Sequence, residues 1–80
     1  MTTICIVNLP DHYTEIIVKD LCARYGKIIS LSKLGLPWYV SYSNVRDAQR
    51  AMIALNGAMI EGDVISVVFE DLPQLDTVQN

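Results

Sequence analysis

Two short segments, Ile4 to Leu9 (ICIVNL) and Trp38 to Tyr42 (WYVSY), are rich in β-branched, aliphatic and aromatic residues, and each leads into a stretch whose apolar residues recur at helical spacing. A chain that twice switches from a period of two to a period near 3.6 builds two strand-then-helix units. That pattern constrains the fold more than any composition figure does. It excludes a plain helical bundle and an all-β sandwich, and it demands a sheet with helices laid on it.

The punctuation between the periodic runs fills in the order. Thr3 to Leu9 is a first strand stopped by Pro10 and Asp11. Thr14 is placed to cap a helix with Glu15 in its first turn. Val18, Leu21, Cys22 and Tyr25 then repeat at helical spacing, and Gly26 closes the run. Ile28 to Leu34 is a second strand, Gly35 and Pro37 turn the chain, and Trp38 to Tyr42 is the third. Ser43 or Asn44 caps a second helix carrying Ala48, Ala51, Met52 and Leu55 on one stripe and ending at Asn56–Gly57. Ala58 to Ile60 is a candidate short strand before a turn at Glu61 to Asp63, and Val64 to Phe69 is the last strand. The expected fold is therefore α+β, a β-α-β-β-α-β ferredoxin-like sandwich whose four-stranded antiparallel sheet carries both helices on one face. The domain is expected to span 1–72, with 73–80 a polar, disordered tail.

Eighty residues make one small domain, and a chain this size buries only roughly 60% of its unfolded surface. Six Lys and Arg stand against nine Asp and Glu, a net charge of −3. Non-specific nucleic-acid affinity comes from cations that displace counterions from phosphates, so tight, sequence-blind RNA binding is not expected. The start MTTICIVNLPDH lacks the basic region of a signal peptide, and no apolar stretch is long enough to cross a membrane, which makes nucleus or cytoplasm the expectation. Strand alternation sends Cys5 to the sheet face opposite Ile4 and Ile6, while Cys22 rides on the helix, so the two cysteines are expected as free thiols. One histidine, no Cys/His ligand set, no nucleophile and base at a recognisable spacing and no glycine-rich phosphate loop argue against an enzyme, a metal site or a cofactor.

From Thr3 to Asp71 the chain resembles the RNA recognition motif family. ICIVNL follows that family's first-strand hexapeptide except at Cys5, where an aromatic is usual. TEIIVKDLCARYGKI resembles its first helix and glycine turn, SNVRDAQRAMIALNG its second helix and GDVISVVFED its last strand. The third-strand octapeptide falls on Gly35 to Tyr42. Tyr39, Val40 and Tyr42 match it, whereas Gly35 replaces a basic residue, Leu36 a glycine, Pro37 an aromatic and Trp38 a glycine or alanine. The resemblance implies single-stranded RNA binding in an RNA-processing factor, with bases stacked on exposed rings at roughly 1 to 3 kcal/mol each. Two of the family's three stacking platforms are missing here.

With Val40 and Tyr42 facing the helices, the open face holds Cys5 and Val7, then Pro37, Tyr39 and Ser41, then Ser66, Val68 and Glu70: one aromatic, no cation and one acid. The resemblance makes Tyr39 the base-stacking residue, with Cys5, Val7 and Val68 as apolar contacts and backbone groups after Glu70 reading a base edge. Tyr39 could instead simply cover the sheet. Trp38 beside Pro37 is either a platform at the hairpin mouth or a cover for the core's edge. Lys33 is the nearest basic candidate, although strict alternation puts it on the core side with Leu31 unless a bulge intervenes. His12 is a loop residue in a place where the family can touch nucleotides, and Asn8 can hold the turn instead of reading a base. A second class of function is a protein partner or self-association. Ile16, Ile17 and Ile53 lie off the helix stripes, and the sheet face is largely apolar. The Arg-x-Phe segment with which one subfamily binds tryptophan-bearing peptides is absent from AMIEGDVIS.

Overall fold

The structure, a computed structural model, describes residues 1–70; the expected disordered tail and the boundary at 72 lie outside the described residues. The elements run β1 (Thr2–Val7), α1 (Glu15–Ala23), β2 (Ile28–Lys33), β3 (Trp38–Tyr42), α2 (Val45–Leu55), β4 (Met59–Ile60), β5 (Asp63–Val64) and β6 (Ser66–Phe69). Four strands form an antiparallel sheet in the order β2-β3-β1-β6, and β4 with β5 makes a separate two-stranded hairpin. This is the expected β-α-β-β-α-β arrangement, with α1 against β2 and α2 against β1, β3 and β6.

Local chemistry sets the ends of the elements. Thr14 Oγ1 accepts from the Ile17 amide at 3.4 Å to start α1, and Asn44 Oδ1 accepts from the Arg46 amide at 2.8 Å to start α2. Of the two candidate caps for α2, it is Asn44 that serves. At the far end of α2 the Asn56 side chain accepts from the Val67 amide at 3.0 Å, tying the helix terminus to β6.

Three boundaries differ from the expectation. β1 stops at Val7 because Asn8 turns into the left-handed region (φ 74°), and its side-chain amide donates to the Val64 carbonyl at 3.3 Å. Asn8 thus holds the turn. Val64 leaves the last strand for the β4–β5 hairpin, whose turn at Glu61 and Gly62 has positive φ at both residues. The β2–β3 pairing shifts register between Ile28 and Ser30, so Ile29 is an extra residue in β2.

The core is the helix-bearing side of the sheet. Ile4 and Ile6 of β1, Trp38, Val40 and Tyr42 of β3 and Val67 of β6 pack against Val18 and Cys22 of α1 and Ala48, Ala51 and Leu55 of α2. Burying one isoleucine stabilises the fold by about 1.5 to 3 kcal/mol, and the small alanines of α2 let the helix lie close to the sheet. The Tyr42 hydroxyl donates to the Cys22 carbonyl at 2.7 Å, which joins β3 to the end of α1 inside the core. Burial pushes the Cys22 thiol up to about 11, against a smaller opposing effect from its hydrogen bond with Tyr42.

Gly26, after α1, is packed against the first turn of α2. A Cβ built there would collide with the Asp47 side chain, including its own Cβ, so no rotamer of Asp47 relieves the overlap. Gly26→Ala is expected to destabilise the domain by about 1 to 3 kcal/mol, the usual size of an overpacking penalty, measured as a lowered midpoint of chemical denaturation.

Candidate nucleic-acid interface

The face without helices is built by the pairing of β1 with β3. Cys5 lies opposite Tyr39 on one side and Val68 on the other, and Ser32 of β2 lies opposite Tyr39 from the far side. Tyr39 is half-exposed near the middle of the sheet, between two small residues. Electrostatic repulsion from the neighbouring Cys5, followed by partial loss of water and nearby Glu70, raises the Tyr39 pKa above the usual tyrosine value.

Val68 is exposed, whereas Cys5 and Val7 are half-buried, so an apolar strip runs across β1 and β6 beside the ring. Pro37 sits half-buried in the turn, where its carbonyl accepts from the Leu34 amide at 3.1 Å. Glu70 is exposed, and its own amide is already spent on the Thr3 carbonyl at 2.8 Å. The backbone groups after Glu70 lie outside the described residues.

Two candidates sit on the helix-bearing side, and a third, on the open side as expected, is covered. Trp38 shares its side of β3 with Val40 and Tyr42 and is only 6% exposed, so it is core and not a platform on the open face. Lys33 pairs with Trp38 and Leu31 with Val40, which places Lys33 on the helix-bearing side, its Nζ 5.9 Å from the Trp38 ring centroid. The bulge lies before this pair, at the start of β2, and so does not bring Lys33 to the open face. Ser41 does lie on the open side, but it is 6% exposed and its hydroxyl is hydrogen-bonded to that of Thr3 at 2.7 Å, leaving almost no area for a ligand.

The same register brings Ser30 and Ser32 onto the open face, two hydroxyl-bearing residues absent from the candidate set. Their signal was the alternation of SLSK, the same alternation that sets Leu31 and Lys33 on the core side. His12 is exposed in the β1–α1 loop, with Nε2 3.3 Å from a Glu61 carboxylate and its ring edge-on to Tyr13. Ile16 and Ile17 line a groove on α1 with Tyr13, Asp20, Leu21 and Arg24, while Ile53 is exposed separately on α2. Among the described residues no group of three or more His, Cys, Asp or Glu side chains is placed to hold a metal ion, and no helix is long and apolar enough to cross a membrane.

Both cysteines are free. Cys5 opens onto the uncovered face, and Cys22 is fully buried with a raised pKa. Alkylation of the native protein near pH 8 is expected to label Cys5 and spare Cys22, read by peptide mass spectrometry; equal labelling would contradict this packing of α1.

A comparison with curated protein sequences finds no match. Among solved structures the fold is similar to that of C. elegans NONO-1 in its homodimer, with a TM-score of 0.80 and 23% identity over 86% of this chain and 28% of that one. It is similar to the RNA recognition motif domain of S. pombe Puf1, with a TM-score of 0.80 and 20% identity over 88% and 89% of the two chains. The protein of the SXL-lethal protein/RNA complex gives a TM-score of 0.83 and 20% identity over 89% of this chain and 47% of that one. At these identities the likeness is one of fold, and this chain spans less than a third of NONO-1 and about half of the SXL-lethal chain. The model of the RNA recognition motif matches residues 4–66, from β1 into β6, and the chain belongs to that family.

Proposed function

We propose that the domain binds single-stranded RNA weakly across its open sheet face, as a module of an RNA-processing factor of the nucleus or cytoplasm. The observation that carries this reading is Tyr39, a half-exposed ring at the centre of the one sheet face the helices leave uncovered. A splayed base needs a flat apolar surface, and Tyr39 supplies it, with Cys5, Val7 and Val68 extending the contact along the strand. The similar fold of the SXL-lethal protein is solved in a complex with RNA, which supports RNA as the ligand class.

Weakness follows from charge. Among the described residues the open face carries no lysine or arginine, Lys33 having gone to the other side, and Glu70 is its acid. With few phosphates neutralised, affinity should change little with salt, in contrast to the steep dependence of basic nucleic-acid binders. Tyr39→Ala is expected to lower affinity for a short labelled RNA by about 1 to 3 kcal/mol, roughly five- to a hundredfold, by fluorescence anisotropy at low salt. An unchanged affinity would remove the sheet from the binding surface.

A second reading has its own support in the groove on α1. Ile16 is 80% exposed there, next to Ile17, Leu21 and Tyr13, an apolar surface that a protein partner or a second copy could cover. On this reading, association seen in a sedimentation series persists at high salt and is abolished by Ile16→Glu. A strict monomer that recovers no partner would retire it.

A further inference from the structure

At the end of the sheet where β1 runs into its loop, the β1–α1 loop, the β2–β3 turn and β5 surround a cleft of about 330 Å³. That is the room of about ten water molecules and falls within the range of small-ligand sites, enough for one nucleobase. Trp38 lines it. Trp38 as a residue is 6% exposed, and among the described residues its indole N–H, a donor only, makes no hydrogen bond to protein. Facing the cleft, it is free to donate to a ligand acceptor in place of water.

The charged groups of the cleft are of both signs and form no ion pair with one another, while its one other polar side chain, Asn8, is held by the Val64 carbonyl. Lys33 lies over the Trp38 ring, while Asp11 and Asp63 line the same space, and no ion pair within 4.0 Å joins any of the three among the described residues. Leu36 and Val64 add apolar edges. The cleft thus offers two donors, the indole N–H and the ammonium, together with two carboxylates. Its ligand must present acceptors on one edge and donors on another, on a flat frame.

Guanine meets that description. Its O6 and N7 accept, and its N1–H and N2 amine donate side by side, matched to the two oxygens of one carboxylate. Adenine and cytosine set an acceptor beside their amine, and uracil offers a single donor between two acceptors. Asp11 and Asp63 repel a phosphate, so the base would enter and the backbone stay outside. The cleft also adjoins the open face, because Asn8 follows Val7 and Trp38 follows Pro37.

We propose that this cleft is a second nucleotide site, selective for an extruded guanine in the strand that crosses the open face. The proposal rests on the RNA-binding reading and names a base for it. Trp38 is the only tryptophan, so its indole N–H gives one isolated NMR resonance. UUGUU should move that resonance together with the Tyr39 amide, whereas UUUUU and UUAUU should move the Tyr39 amide alone, and inosine in place of guanosine should weaken the effect because it lacks the N2 amine. Asp11→Asn with Asp63→Asn, both at exposed positions, should lower affinity for UUGUU about tenfold or more and leave UUUUU unchanged. Trp38→Phe, which keeps a ring in the core and removes the N–H, should reduce the preference for UUGUU in the same direction. An indole resonance unmoved by UUGUU while Tyr39 shifts would overturn the cleft and leave the sheet reading standing. Both unmoved at near-millimolar RNA would overturn the two together. A shift with an arginine-rich peptide and none with RNA would make the cleft a protein site and overturn the proposal.

Discussion

The antiparallel register of β1 on β3 decides both the core and the candidate interface. Ile4 opposite Val40 and Ile6 opposite Trp38 face the helices, and Cys5 opposite Tyr39 faces away. Because side chains alternate with a period of two, slipping this pairing by one residue would turn the isoleucines to water and drive Tyr39 into the core. Each exposed isoleucine would forfeit about 1.5 to 3 kcal/mol, a large fraction of what a domain this size has in reserve. The energy that fixes the position of Tyr39 is therefore supplied from the opposite side of the sheet, by the residues packed under the helices.

That coupling explains which parts were legible in the sequence. The two isoleucines around Cys5, the Ala48, Ala51 and Leu55 stripe, the Thr14 cap and the turn at Gly26 are side-chain signals, and the elements they mark formed where expected. The family motif was legible too, and it matches residues 4–66. What was hidden depends on backbone events that leave no residue signature. The extra residue at Ile29 lets Ile28 face the core together with Leu31, and left-handed Asn8 with the Glu61–Gly62 turn drew Val64 out of the last strand. Trp38 is a different case. Alternation with Val40 and Tyr42 placed it in the core, but a family position normally held by glycine or alanine gave no guide to where so large a ring would go.

The placement of Lys33 also follows from size and solvation. An ammonium cannot be buried unpaired, yet its four-carbon stem can cross apolar surface and keep the charge in water. At the last residue of β2, beside Trp38, the lysine lies over the indole, so the chain's one cation on this part of the sheet is held away from the open face. Phosphate contacts are therefore not part of what that face offers, and its chemistry reduces to one ring, an apolar strip and the hydroxyls of β2.

A face of that kind can hold a strand but can hardly tell one sequence from another. On the proposed reading, stacking on Tyr39 is tolerant, since every base has a π-face, and Cys5 offers no second ring. Base discrimination needs fixed donors and acceptors set against base edges, and it is strongest where leaving them unmatched is expensive. On the open face the hydroxyls of Thr3 and Ser41 are satisfied by each other. The unmatched groups lie instead at the loop end, in the indole N–H of Trp38 and the charges of Lys33, Asp11 and Asp63. The tryptophan in a position usually held by glycine or alanine adds its ring to the core beside the β2–β3 turn and replaces neither of the missing platforms at Cys5 and Pro37. On the proposed reading, the sheet supplies affinity and the loop end the choice of base.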